Sequence, residues 1–317
     1  MKVSVIIPNF NGKHYLKTCF DSLIAQSVYI KEIIVIDNGS TDRSQDFIKE
    51  FTNKYDYFKL IENKTNEGFS IAINQGIMEA SADFVFLLNN DVEVKKDAIK
   101  NLLIAIKKDS NIFSASSLML QFNNRELIDD AGDMYSFLGY TRKLGLNKNI
   151  NSYDFRQDIF SSCGGAALYR RSIFDEIGYF DENFFAYMED VDIGYRARIF
   201  GYKNILVKDS IVYHYGSGTS GSQYNKFKIR LAARNNVFVP YKNMPIIQFI
   251  CNFIFLAIGF LIKFIFFLKK GYGLYYLSGL KEGFTNLDKI DKVKHEGSNI
   301  KNYLNIQGKL ILNTFRF

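Results

Sequence analysis

Three short polar clusters stand where apolar runs end, and their residue types suit the binding of a polyanion. Pro8-Asn9-Phe10-Asn11-Gly12 follows residues 3–7, Asp37-Asn38-Gly39-Ser40-Thr41-Asp42 follows 32–36, and Asn89-Asn90-Asp91 follows 84–88. Asn, Asp and Gly are ordinary residues of turns and helix caps, so each cluster taken alone is explained by loop chemistry. Three of them at successive strand ends, joined by the later acidic group Glu189-Asp190-Val191-Asp192, point to a ligand site. A nucleotide needs a polar floor for its base, a backbone-lined slot for its ribose and a carboxylate-held cation to neutralise its phosphates.

Clusters of this kind work only if regular elements hold them at one edge. Apolar β-branched runs alternate with amphipathic stretches through the first half, the pattern of βαβ units and a mostly parallel sheet. Strands are expected at residues 3–8, 32–37, 58–62, 84–88 and 113–120. Helices are expected at 15–25, after Ser40-Thr41-Asp42, at 70–80 and at 96–107. In open α/β sheets ligands bind beyond the carboxyl ends of the strands, where all three clusters fall. Residues 121–160 are polar and irregular and read as a loop-rich insertion near the site. The chain is then extended around 163–169, helical around 190–200 and extended again around 205–213.

The 317 residues, 47% hydrophobic with three prolines, argue against a disordered chain and allow one large α/β core with an appendage or two modest domains. Cys19, Cys163 and Cys251 are widely spaced, with neither zinc-site nor disulfide-framework spacing, and suit a reducing cytosol. Charge is divided along the chain: residues 1–215 carry 25 Lys+Arg against 29 Asp+Glu, and residues 216–317 carry 15 against 4. The basic half also holds an apolar run at 246–268, about 34 Å long as a helix. On a helical wheel Gln248, Asn252, Gly259, Lys263 and Lys270 fall within roughly 60° of one another, one narrow polar stripe. Such a helix lies in a membrane interface or packs on a partner or on its own catalytic domain. The company of an apolar helix argues for an anionic membrane surface and against nucleic acid.

The motifs, in order, resemble family 2 inverting glycosyltransferases of GT-A fold, and within them the bacterial rhamnosyltransferase-like branch. The resemblance rests on Val3 to Gly12, Val35 to Asp42, Asn66-Glu67-Gly68-Phe69-Ser70 with Asn74, and Leu87 to Asp91. It continues through Gly164-Gly165-Ala166, Phe185 to Asp192, and His214 with Ser217. It covers residues 3–235. The family implies a Rossmann-like nucleotide-diphospho-sugar transferase fold, here with a catalytic domain over 1–240, its nucleotide-binding half about 1–120 and its acceptor half about 121–240. A basic, apolar, membrane-associating region over 241–317 would follow.

By the same resemblance Asp37 contacts the nucleobase, Pro8, Asn9 and Asn11 line the nucleoside pocket, Asn66 and Gly68 shape the ribose and diphosphate side, and Asn90 adjoins them. Asp91 is the metal carboxylate of an Asp-X-Asp element whose first acid is here Asn89. With one carboxylate lost, His214 completes the metal site, and an imidazole ligand favours Mn2+ over Mg2+. Asp190 is the general base that takes the acceptor hydroxyl proton, with Glu189 next in line. Asp192 and Arg196, at i and i+4, form a structural pair. The implied reaction is inverting transfer from a nucleoside-diphosphate sugar, dTDP-rhamnose or a UDP-hexose, to a polyprenyl-diphosphate-linked saccharide at the cytoplasmic face of the membrane. A processive polysaccharide synthase is the alternative, but the chain has no tryptophan for that group's Gln-X-X-Arg-Trp motif. A non-catalytic scaffold of the same fold is the other.

Overall fold

In the computed structural model, which describes residues 2–216 and 224–316, the first half follows the expected alternation. It runs β1 (Val3–Asn9), α1 (Lys13–Ile24), β2 (Ile30–Asn38), α2 (Ser44–Lys54), β3 (Phe58–Asn63), α3 (Phe69–Glu79), β4 (Phe84–Leu88), β5 (Val92–Val94), α4 (Ala98–Ile106) and β6 (Ile112–Gln121). The insertion contains short strands: β7 (Ile128–Asp130), β8 (Asp133–Tyr135), β9 (Thr141–Lys143) and β10 (Asp158–Ile159). Then come β11 (Ala166–Arg170), α5 (Phe174–Ile177), α6 (Glu189–Ile199), β12 (Lys203–His214), α7 (Lys226–Asn243), α8 (Ile246–Lys269), α9 (Gly273–Thr285) and α10 (Ile300–Thr314).

The main sheet has strand order β10-β12-β6-β11-β4-β1-β2-β3, with β5 on β12 and β7 on β6. Its β4-β1-β2-β3 block is parallel, as is the β12–β6 pair, while β11 runs antiparallel between β4 and β6. The expected α/β architecture is therefore present, as a mixed sheet. Strands buried on both faces need continuous apolar runs, and Val5, Ile6, Ile7, Ile33, Ile34, Val35 and Ile36 are all fully buried. Because β1, β2 and β4 are adjacent and parallel, their carboxyl ends emerge side by side, and the three polar clusters share one edge.

The C-terminal helices are not an independent appendage. Val191, Tyr195 and Ile199 of α6 share a core with Phe238 of α7, Leu256 of α8 and Ile306 and Leu310 of α10. Gln248, Asn252, Gly259 and Lys263 of the α8 stripe face inward, whereas Lys270 at its end is exposed. Gln248 and Asn252 are bonded to Gln307 of α10 at 2.9 and 2.8 Å, Tyr140 donates to the Gly259 carbonyl at 2.9 Å, and Lys263 donates to the Gly139 carbonyl at 3.2 Å. Its opposite face, with Ile247, Ile250, Ile254, Ile258 and Leu261, is exposed. One helix among the described residues, α8, is long and apolar enough to cross a membrane, at 24 residues and a mean hydropathy of 2.4.

Candidate active site

The β1, β2 and β4 clusters interlock through side-chain amides. Asn9 at the end of β1 donates to Asp37 Oδ2 at 2.7 Å and accepts from Asn90 Nδ2 at 2.7 Å. Asp37 is fully buried, and its other oxygen accepts from the Ser40 amide at 3.0 Å and from Gln45 at 2.7 Å. Asn11 accepts from the Thr41 amide at 2.7 Å, which ties the first loop to the second. A Cβ on Gly12 would lie 1.9 Å from Asn90 Nδ2, so glycine is what lets the first helix start against this floor. Pro8, the residue before Asn9, is half-buried at the same strand end.

On the β3 side, Asn38 donates to Asn66 Oδ1 and to the Gly68 carbonyl, both at 3.0 Å. Gly68 has φ +94, and a Cβ there would fall 2.6 Å from the Phe185 ring. The Phe185 carbonyl accepts from the amides of Phe69 at 2.5 Å and Ser70 at 3.2 Å, satisfying the first turn of α3. The donor-side wall thus touches the chain that leads to the acidic group, over a sequence gap that no local pattern bridges.

That chain is strained. Phe185, Tyr187 and Met188 all have positive φ, at 62°, 68° and 70°. Each such non-glycine residue costs on the order of 1–3 kcal/mol and persists only where its surroundings fix it. Glu189 and Asp190 follow at once, on the first turn of α6. Asp190 accepts from the Val191 amide at 2.8 Å, so it also serves the helix N-terminus. Burial raises its carboxyl and the Asp130 charge adds to this, against the Val191 amide and the Lys143 amine, leaving it pushed up to about 6. Burial and the neighbouring Asp190 charge also raise the Glu189 carboxyl well above its ordinary value, and Glu189 Oε2 is buried without a hydrogen-bond partner among the described residues. Asp192 instead takes Arg196 at 2.8 and 3.0 Å and Asn243 at 2.8 Å, the structural pair that its spacing predicts.

His214, at the end of β12, lies between two carboxylates: Nδ1 is 2.7 Å from Asp129 and Nε2 is 3.4 Å from Asp91. Burial favours the neutral ring, but the hydrogen bonds with Asp129 and Asp91 overcome it and push the imidazole up to about 9. Ser217 lies outside the described residues. Lys143 of β9 approaches Asp129 at 3.3 Å and Asp130 at 3.6 Å. A chain of contacts therefore runs from Asp91 through His214, Asp129 and Lys143 to Asp130, whose charge acts on Asp190. Beside it opens a cavity of about 260 Å3 lined by Gln121, Phe122, Asn123, Asp129, His214 and Tyr215.

Asp91 and the His214 imidazole meet at 3.4 Å, one carboxylate and one nitrogen of the types that ligate manganese once the ring gives up the proton it shares with Asp91. Among the described residues no group of three or more His, Cys, Asp or Glu side chains is placed to hold a metal ion. A cation bound there would take Asp91 and His214 and complete its shell with ligand oxygens and water. Sequence reasoning placed the insertion next to the site but named none of its residues. The acid pair Asp129-Asp130 ahead of Ala131-Gly132 was the available signal, whereas nothing local distinguishes Lys143.

A mixed α/β sheet of this strand order, with polar clusters at the ends of three adjacent parallel strands, is the GT-A fold. Residues 4–178 match the model of glycosyl transferase family 2 and residues 121–280 that of glycosyl transferase family group 2, and the chain belongs to glycosyltransferase family 2. It is similar to the low-salt glycan biosynthesis hexosyltransferase Agl10 of Haloferax volcanii, at 27% identity over 62% of this chain and 61% of that protein. It also resembles the poly-beta-1,6-N-acetyl-D-glucosamine synthase of Staphylococcus epidermidis, at 24% identity over 63% of this chain and 47% of that one. A third relative, the uncharacterized glycosyltransferase YibD of Escherichia coli, is 36% identical over 35% of this chain. The matched stretch spans 32% of YibD and 14% of the glycosyltransferase GlyA of Streptococcus pneumoniae. The fold is shared with GalNAc-T7 in complex with UDP, GalNAc and Mn2+, at 22% identity and a TM-score of 0.62 over 76% of this chain and 47% of that one. It is shared too with the mannosyltransferase PcManGT of Pyrobaculum calidifontis in complex with GDP-Man and Mn2+, at 13% identity and 0.57 over 99% and 86%.

Proposed function

We propose that this glycosyltransferase transfers a sugar, with inversion, from a nucleoside-diphosphate donor to an acceptor hydroxyl, with Asp190 as general base. The observation that carries the reading is the chain of contacts that links Asp91 and His214 to the acids around Asp190. The nucleoside sits on the Asn9–Asp37–Asn90 floor beside Pro8 and Asn11, and Asn66 and Gly68 wall the ribose and diphosphate. Asp91 and His214 would hold Mn2+, or Mg2+ less well, and such a cation would supply positive charge against the departing diphosphate. Asp190 withdraws the acceptor proton as the new C1–oxygen bond forms and the C1–diphosphate bond breaks. A positioned base of this kind contributes about 10²–10⁴-fold.

The motif set favours dTDP-rhamnose as donor, with UDP-hexoses next. The complexes of similar structures with GDP-Man and with UDP widen the panel to be tried. Purified protein with Mn2+ and each nucleotide sugar, scored for nucleoside-diphosphate release with and without lipid-linked saccharide acceptors, tests both halves of the reading. Release that no acceptor and no metal alters would defeat it.

The acceptor is held at a membrane. The exposed apolar face of α8, flanked by a chain segment with 15 basic against 4 acidic residues, fits a helix lying in the cytoplasmic leaflet with its polar stripe bonded to the protein. Each Lys or Arg near an anionic surface adds about 1 kcal/mol, so high salt should loosen attachment only partly while detergent releases the protein. A cysteine placed at Ser298 should react with a membrane-impermeant reagent only after lysis; labelling in intact cells would establish a spanning helix instead.

A further inference from the structure

The strained turn before Glu189-Asp190 is held by two adjacent side chains from a distant helix. Asn235 of α7 is fully buried, and its Nδ2, with two N–H bonds to share, lies within hydrogen-bond distance of three carbonyls, those of Phe184 at 2.9 Å, Ala186 at 2.9 Å and Tyr187 at 2.7 Å. Arg234 adds donations to the carbonyls of Asn183 at 2.9 Å and Phe184 at 2.8 Å. The one carbonyl these two leave over in residues 183–187, that of Phe185, is taken by the α3 amides. Every carbonyl of the turn is thereby engaged, and three left-handed non-glycine residues are kept where a free chain would relax.

We infer that Asn235 is the positioning residue of the base: it sets the turn from which α6 delivers Asp190 and keeps that carboxylate desolvated. It touches no reacting atom and acts through the backbone of residues 184–187. A terminal amide is the group the task requires. It offers two N–H bonds from one nitrogen, without the charge that would lie close to Glu189 and Asp190, and it is short enough to leave little rotamer freedom. An aspartate of the same shape would set a carboxylate against three carbonyl oxygens. The inference rests on the reading of Asp190 as base, and its test separates the two.

Asn235→Ala and the isosteric Asn235→Asp are compared with wild type and with Asn236→Ala, a control at the next position of the same helix. First, amide hydrogen exchange over residues 184–190 should rise at least about 10-fold in both Asn235 variants and not in the control. Second, kcat should fall by about 10²-fold, the cost of a misplaced reacting group. Affinity for whichever of UDP, dTDP and GDP the wild type binds should stay unchanged. Third, the acid limb of the pH–rate profile should move below its wild-type position near 6, because water entering the loosened turn stabilises the Asp190 carboxylate. Asp130, Asp133, Glu189 and Lys143 face that carboxylate and are untouched by the substitution. Unchanged exchange in a folded Asn235→Asp protein, or equal losses in Asn236→Ala, would overturn the inference. Full activity of Asp190→Asn would overturn the base reading instead, and the exchange measurement would still report on Asn235.

Discussion

The two walls of the site are built on opposite principles. The proposed donor floor is a neutral lattice of Asn9, Asn90, Asn38, Asn66 and Ser40 around one buried acid, Asp37, whose oxygens are taken by Asn9, Ser40 and Gln45. The proposed acceptor wall gathers Asp129, Asp130, Asp133, Glu189 and Asp190 with Lys143 among them, and burial raises the carboxyls of Asp130, Asp133, Glu189 and Asp190. Asp129 alone goes the other way: burial would raise it too, but the bond with His214 and the Lys143 charge bring it down to about 2. A preformed amide lattice recognises shape and costs nothing to reorganise. A desolvated acid cluster stores proton affinity, which is what a base acting on a sugar hydroxyl needs near neutral pH.

Substitutions should tell these walls apart. The largest effect is expected from Asp190→Asn, which keeps shape and donor binding but should lower kcat by about 10²–10⁴-fold. Isothermal titration with the nucleoside diphosphate and a single-turnover assay separate the two quantities, and near wild-type turnover would move the base to Glu189. Asp91→Ala should act on binding: metal activation and donor affinity fall together, by about 10-fold or more, since the diphosphate charge loses its anchor. Mn2+ titration monitored by electron paramagnetic resonance checks it, and an unchanged profile would remove Asp91 from the metal site.

The pH profile sharpens the contrast further. A base must be ionised to act, so kcat/KM should rise with pH through about 6, where burial has placed Asp190. Lys143 lowers that value, so Lys143→Met should shift the limb upward; a downward shift would mean that the lysine does not face the carboxylate. Asn9→Ala belongs to the other wall. It leaves Asp37 and Asn90 each short of a buried partner and should cost about 1–3 kcal/mol in stability. Donor KM should rise while the acid limb stays in place. The smallest effect is expected at the exposed pair Lys17–Asp21, where Lys17→Ala should change the melting temperature hardly at all.

How much of this was legible beforehand depends on the range of the interaction involved. Periodicity located β1 to β4 and the first helices within a few residues, because buried parallel strands demand continuous apolar runs and amphipathic helices their 3.6-residue spacing. The same logic put the clusters at Asn9, Asp37 and Asn90 on one edge, and the narrow polar stripe of α8 showed that one face of that helix has a polar partner. The sequence could not say which partner. Only the fold turns Gln248, Asn252 and Lys263 onto Gln307 and Gly139 and leaves the isoleucines outward. The acidic group at 189–192 was readable as a motif, but the left-handed turn before it was not, since Phe185, Tyr187 and Met188 carry no local preference for positive φ. Asp129 and Lys143 sat in an irregular stretch without periodicity, and Asn235 in the middle of a helix, where nothing local marks them. Sequence by itself determined what short-range propensity and burial dictate. The tertiary structure decided the proton affinities and the hold on the proposed base, because both depend on groups far apart in the chain, such as Asn235 with Ala186, 49 residues apart, and His214 with Asp129, 85 apart.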